Sequence, residues 1–497
     1  MTDTRDTKDK TLLLFNYDWD ASGYARHGAR HQFTHAGFDL FSFPSNAHLA
    51  WFDMDRFVNK WAAKAKKLGL QAVSSQHEQF GALAAALLAD KMGWPGTPPA
   101  AVVACQHKLY ARQVLQRVAP EANVAFARLD CAYGAPAPGA LPDGLQYPAF
   151  AKPIKAAFSV LARTVAHRAQ LHAHTRFGAF ELWVIRHLVE PFERVAKRLL
   201  PNAGTAHSLM LEAPAWSAER PLPQYSLDGI ACNGQIKPLG IVDSVMYPGT
   251  QAFMRFDYPS QLPQAAQAQA LDVAQRFLTD IGYTHGFFNM EFFYDQASAK
   301  LSVIEFNPRM ASQFADLYQR VDGRDLYAMA LALAHGRDPW ALALSKATAG
   351  AASSFVYRAF DASAVASHAP DMPDAQALAL LQREFPDHLL LQFPKDRTSL
   401  SRDFKWLGSY RYGILHLGGV DSDDLRQRCT AASGILGWPA PYGTPEPVLT
   451  RRARAAETFA AQGYPTHGQA ANHAATPHSP TGNSIHTPVI QPWRLPA

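Results

Sequence analysis

The sequence predicts an α/β protein, α+β in part, in which a small parallel-sheet unit precedes a larger region of hairpins and helices. Three observations carry that expectation. Between residues 11 and 118, short apolar runs alternate with stretches of helical periodicity, the order that builds a parallel sheet. From residue 149 onward, apolar runs recur in pairs across short polar turns, as antiparallel hairpins require. The 497 residues are 48% hydrophobic and 18% charged, enough apolar material for about two to four globular units.

Taken in order, residues 11–15 read as an apolar strand and 16–23 as a polar loop after it. Helical patterning is expected over 25–36 and a second strand over 39–43. The same reading gives a helix at 56–68, a strand at 71–75, an Ala/Leu-rich helix at 80–91, a turn at 93–99 and one continuous helix at 102–118 that carries Lys108. The Pro/Gly-rich stretch 132–148 marks a boundary or exposed loop. Strands follow at 149–152 and 159–165, then a long apolar helical segment at 177–200 and a strand at 209–212. A hairpin pairs 225–230 with 236–242, an amphipathic helix spans 264–281, strands lie at 287–294 and 301–306, and a helix at 326–335. Residues 352–438 form a third α/β portion. The expected division is 1–125, 126–345 with a small lobe at 150–215, 346–445, and a disordered tail at 446–497. The tail's histidines, His467, His473, His478 and His486, lack the spacing of a metal site.

The bulk numbers narrow the function classes. A net charge of +5 is too small for a dedicated nucleic-acid binder of this length. The basic run Lys60, Lys64, Lys66 and Lys67 reads as the solvated face of a helix. Cys105, Cys131, Cys232 and Cys429 stand far apart, without metal-ligand spacing or a disulfide framework, which fits a reduced, cytoplasmic setting. The first ten residues are charged and carry no apolar signal core. No run reaches the roughly 18 apolar residues that cross a bilayer. A soluble protein with neither nucleic-acid nor membrane partners is expected.

The chemistry concentrates between Phe287 and Arg309. Two apolar runs flank a polar turn, and a turn centred near Ser298 sets Glu291 opposite Glu305. Residues so paired lie roughly 5 Å apart, where like charges repel. Strand period puts Glu305, Asn307 and Arg309 on one face. The neighbours are nearly all apolar, and a buried unpaired carboxylate is costly. A divalent cation resolves the conflict, since Mg²⁺ takes oxygen ligands with water and phosphate completing its shell. Lysines from elsewhere in the chain resolve it too, and on spacing alone they are the simpler answer.

The run Val303-Ile-Glu-Phe-Asn-Pro-Arg-Met310 closely resembles the metal-binding motif of ATP-grasp enzymes, and the stretch from Gly282 to Glu291 resembles the strand that precedes it. The resemblance implies an ATP-grasp fold preceded by a small parallel-sheet α/β domain. It implies ATP and Mg²⁺ (or Mn²⁺) as cofactors, with Glu291, Glu305 and Asn307 as metal ligands and Arg309 stabilising the transferring phosphate. Upstream, Tyr147-Pro-Ala-Phe-Ala-Lys-Pro153 resembles the strand ending in a phosphate-binding lysine, here Lys152, and Cys105-Gln-His-Lys108 the helix whose lysine reaches the nucleotide. Ser159 lies in the loop that covers the phosphates, which here contains no glycine. Leu209-Met-Leu-Glu-Ala-Pro-Ala215 resembles the adenine hinge, with Glu212 and the main chain of Ala213 and Ala215 on the base, and Gln224 stands where a ribose-binding Glu is usual.

The activity so implied is ATP-dependent carboxylate–amine ligation through an acyl phosphate, releasing ADP, on small-molecule acids and amines. The alternatives are a nucleotide-binding protein without turnover, a kinase-like enzyme or a biotin-carboxylase-like one. The loop acids Asp18 and Asp20 are read first as solvated or capping loop acids and second as amine ligands; Arg255 and Arg358 have no assigned place. The helical insertion around 176–205 is read as core, a homodimer face or a lid.

Overall fold

The computed structural model describes residues 8–40, 45–132, 141–156, 161–215, 221–360, 371–395, 400, 404 and 408–442. Ser159 and the expected tail lie outside them. In the N-terminal unit, β1 (Asp9–Leu14) leads into α1 (Asp18–Ala25), β2 (His31–Ala36), α2 (Met54–Leu68), β3 (Ala72–Ser74), α3 (Gly81–Met92), α4 (Pro99–Gln106) and α5 (Lys108–Val118). The sheet is parallel in the order β2-β1-β3, as alternating strands and helices demand.

Four expectations are corrected here. The loop over 16–23 is largely α1, nucleated by the Asp20 carboxylate, which accepts from the Tyr17 N–H, and the stretch 31–36 is strand rather than helix. His-Gln-Phe-Thr-His-Ala offers only a sparse apolar pattern because β2 is a half-exposed edge strand, so helical and strand readings were nearly degenerate. Residues 39–40 are not strand, and 41–43 are outside the described residues. The helix over 102–118 is broken at His107 (φ −89°, ψ 87°), whose Nδ1 accepts from the Tyr110 N–H and caps α5. No Gly or Pro marks that break. It makes Lys108 the first residue of α5.

The second sheet is antiparallel, in the order β4-β7-β5-β6, from β4 (Phe126–Ala132), β5 (Ala149–Pro153), β6 (Arg163–Val165) and β7 (Ser208–Glu212). Between β6 and β7 run α6 (Arg168–His174) and α7 (Ala179–Leu199). One stripe of α7, with Ile185, Val189, Phe192, Val195 and Ala196, is buried in the core shared with α3 and α4. Much of the inserted helix is therefore core.

The third sheet has eight strands in the order β12-β11-β8-β9-β10-β13-β15-β14. They are β8 (Gln224–Cys232), β9 (Gln235–Met246), β10 (Phe253–Tyr258), β11 (Gly286–Asp295), β12 (Lys300–Asn307), β13 (Ala351–Ala359), β14 (Leu389–Gln392) and β15 (Tyr410–Gly419). Helix α8 (Gln264–Asp280) precedes β11; α9 (Ala315–Asp322) and α10 (Leu326–Ala334) follow β12; α11 (Ala375–Glu384) and α12 (Ser422–Leu436) flank the last strands. The strands after residue 350 thus extend the same sheet that holds the acidic hairpin. None of the described helices is long and apolar enough to cross a membrane.

Candidate functional site

The hairpin β11–β12 pairs Glu291 with Glu305 and Asn289 with Asn307, the register a turn centred near Ser298 requires. Alternation fixes the two faces. Met290, Phe292 and Phe306 pack toward α5 and α8, and Phe306 lies flat on Phe277 at 3.9 Å. The carboxylates therefore project from the other face. Gly286 opens β11 at φ 137°, where a Cβ would strike Thr97 and Tyr283, so the hairpin starts hard against the 93–99 turn.

On that face a hydrogen-bond chain sets the orientations. Gln224 Nε2 donates to Glu291 Oε2 (3.0 Å). Asn307 Nδ2 donates to Glu291 Oε1 (3.3 Å) and to Asn289 Oδ1 (3.1 Å). Asn289 Nδ2 in turn donates to Asp228 Oδ1 (3.0 Å), whose other oxygen accepts from Tyr318 (2.9 Å). Two acceptors on one side of Asn307 turn its carbonyl oxygen the other way. Burial and the charge of Glu305 push Glu291 up to about 7. Burial also acts on Glu305, but Lys108, 2.7 Å away, outweighs it and holds that carboxyl below its ordinary value. Lys108 reaches Glu305 because the break at His107 places it at the start of α5, with its N–H on Ile154 O.

Next to this pair lies a cluster of the opposite sign. Glu212, at the end of β7, accepts from Arg112 Nε (2.6 Å) and pairs with Lys152 Nζ (2.8 Å) through the same oxygen. All three side chains are nearly inaccessible, at 7%, 3% and 5%. Arg112 also donates to Val303 O (2.7 Å) and Ile304 O (3.2 Å), and Lys152 approaches Ile304 O (3.5 Å). The cluster thus sits on the backbone immediately before Glu305. Burial opposes the charge on Glu212, but Arg112 and Lys152 hold it down at about 2; burial draws Lys152 to about 8.

Arg309 Nε pairs with Glu78 Oε2 (2.9 Å), and Gln106 Nε2 holds the other oxygen of Glu78 (3.0 Å). Lys155, buried over the ring of Phe192, donates to Glu78 O (3.4 Å) and is drawn down to about 8 by burial. Sequence reasoning assigned no role to Arg112, Glu78, Gln106 or Lys155. Arg112 had a signal, since it lies one turn after Lys108 on the same helix face. Glu78 had another, as the acid of a polar run at the C-terminal end of a parallel strand, where ligands of such sheets gather.

The remaining expected residues fall out unevenly. Glu212, expected on a base edge, pairs through Oε1 with Arg112 and Lys152. Gln224, expected at a ribose, donates from Nε2 to Glu291. Ala213 gives its N–H to Ala125 O (2.8 Å), so its carbonyl is the group it can offer a ligand; Ala215 ends the described hinge. Asp20 is buried, accepts from Tyr327 (3.1 Å) and the Tyr17 N–H, and is pushed up to about 6 by burial, which is the capping role. Arg255 pairs with Asp257 (2.9 Å) and Arg358 with Ser409 (2.9 Å), both at β10 and β13. A groove of about 630 Å³ between α2 and α7, lined by Trp51, Arg56, Trp183 and Arg194, contains none of these carboxylates.

The opposed acids with an amide oxygen beside them form the donor set that suits Mg²⁺, and the ammonium of Lys108 already stands where positive charge is needed. The adjacent excess of cations suits phosphate.

No family model matches the chain. Carnosine synthase 1 from Gallus gallus is 30% identical over 270 residues, covering 50% of this chain and 26% of that protein, so the chain spans about a quarter of the relative's length. The L-amino acid ligase from Bacillus licheniformis superposes with a TM-score of 0.59 at 13% identity, over 86% of this chain and 97% of that one. The biotin carboxylase domain of Hydrogenobacter thermophilus 2-oxoglutarate carboxylase, a dimer solved with MgADP, gives 0.54 at 14% identity, over 87% and 94%. The chain has the ATP-grasp fold.

Proposed function

We propose that this protein is an ATP-dependent carboxylate–amine ligase that releases ADP and phosphate. The observation that carries the reading is the contact of two oppositely charged half-sites along Val303–Glu305: two carboxylates with one amine on one side, one carboxylate with two cations on the other. A cation–polyanion ligand such as magnesium nucleotide fits that juxtaposition. The names of carnosine synthase and the L-amino acid ligase support amino acids as the substrate class.

In this reading Glu291, Glu305 and Asn307 would hold Mg²⁺, which when bound neutralises phosphate oxygens. Lys152 and Lys108 face the phosphate chain as fixed positive charges. Arg309, braced by Glu78, presents the rest of its fork to the transferring phosphate and the acyl oxygen. The hinge at Glu212 to Ala215 would offer main-chain groups to the base. A substrate carboxylate attacks the γ-phosphate and ADP leaves; an amine then attacks the carbonyl carbon of the acyl phosphate and expels inorganic phosphate. The side chains align and neutralise; none supplies a nucleophile.

The test is phosphate release by the purified protein with ATP, Mg²⁺ and paired amino acids, with mass spectrometry of the products. The expected result is release that requires both an acid and an amine, with a product equal to the two less one water. Tight ATP binding without substrate-dependent release across a broad panel contradicts the reading.

A further inference from the structure

Asp9 and His31 are direct partners on the parallel strands β1 and β2, and His335 follows the last turn of α10. Each brings one ligand atom to within 4.8 Å of the other two. Asp9 opens β1, and five steps of strand, about 17 Å, separate it from Leu14 and the end that faces Arg309. The trio is therefore remote from the acidic hairpin. Its surroundings are prepared for ligation. The His31 ring packs parallel to Phe33 and keeps a buried Nδ1 without a hydrogen-bond partner among the described residues. His335 is held through Nε2 by Thr11 Oγ1 (2.8 Å), the kind of outer contact that orients a ligating imidazole. The competing group is Arg337, which ion-pairs with Asp9 but is 55% exposed and can swing into water.

We propose that Asp9, His31 and His335 bind a divalent cation of the zinc class and thereby clamp the edge of the N-terminal sheet to the end of α10. Two imidazoles and a carboxylate are the nitrogen–oxygen set that favours zinc, cobalt or nickel over magnesium. Donors bonded to one ion at about 2 Å lie no more than about 4 Å apart, so small rotamer adjustments close the cluster. A fourth position is left for water.

The test uses the full chain, stripped with chelator and titrated with Co²⁺ and then Zn²⁺. The acidic hairpin, an oxygen site, gives weakly absorbing six-coordinate Co²⁺. The proposed site gives the stronger visible bands of a lower coordination number, displaced by Zn²⁺. His31→Ala and His335→Ala are expected to weaken binding by about 100-fold or more. Arg337→Ala, at an exposed position, is expected to tighten it several-fold, and Zn²⁺ to raise the melting temperature of wild type and Arg337→Ala but not of His335→Ala. Only six-coordinate Co²⁺ in both wild type and Arg337→Ala overturns the proposal, as do bands that survive in both histidine variants.

Discussion

The two half-sites on either side of Val303–Glu305 are built from the same residue types in opposite proportion. At the hairpin, Lys108 pairs with Glu305 alone, and Glu291 is held by the amides of Gln224 and Asn307. At the hinge, Arg112 and Lys152 share one anion, Glu212. The hinge cluster is the more enclosed, and its acid sits at about 2, fully charged. The hairpin retains an acid near 7, poised between forms. The difference teaches what each half lacks. The hinge holds itself together and has positive charge to spare, whereas the hairpin is left with a repulsion that a proton on Glu291 or an added cation relieves.

The largest effect is expected from breaking the hinge. Glu212→Gln leaves Arg112 and Lys152 buried without a counter-ion, and removing one partner of such a cluster costs about 3–5 kcal/mol. Urea unfolding followed by circular dichroism measures that loss, and millimolar nucleotide should restore part of it. At the hairpin, Glu305→Gln frees Lys108 and weakens the cation site together. Turnover measured as ADP release should fall by about 10²–10³-fold, the scale of losing one preorganised charge at a reacting phosphate.

The pH dependence separates the halves further. Glu291 binds its proton more tightly folded, at about 7, than unfolded, at about 4.5. Between those values the folded state holds the extra proton, so its stabilising contribution is complete at low pH and is lost as pH rises through 7. A bound cation displaces the same proton. Mg²⁺-dependent nucleotide affinity, measured by titration calorimetry, should therefore climb by up to about tenfold per pH unit below 7 and level off above it. Glu291→Gln should flatten that climb. The smallest effect is expected from Gln224→Leu, which removes one hydrogen bond to Glu291 and should weaken nucleotide binding by about 1 kcal/mol, or some fivefold.

The hairpin was legible in the sequence because its turn, its register and the Glu305-Phe-Asn307-Pro-Arg309 run that resembles a known motif are all local. Counting from Ser298 places Glu291 on Glu305 without any knowledge of the rest of the chain. The hinge cluster was legible only in part. Lys152 and Glu212 were picked out by resemblance, but their pairing with each other and with Arg112 joins β5, β7 and α5 across 60 and 100 residues. Nothing in the local pattern encodes such contacts. The break at His107 was missed for the same reason: the carbonyl of Ile154 that receives the Lys108 N–H lies 46 residues away. Strand β2 failed differently, since an edge strand of alternating exposure shows too few apolar residues to outvote a helical reading.

The most direct test of the two-half account is calorimetric titration of a non-hydrolysable ATP analogue, with and without Mg²⁺, into wild type and the Glu291→Gln/Glu305→Gln double variant. The account predicts that Mg²⁺ strengthens binding to wild type by at least about tenfold. It also predicts that the double variant binds the metal-free analogue as well as wild type or better and gains nothing from Mg²⁺. An equal gain from Mg²⁺ in both proteins would contradict it.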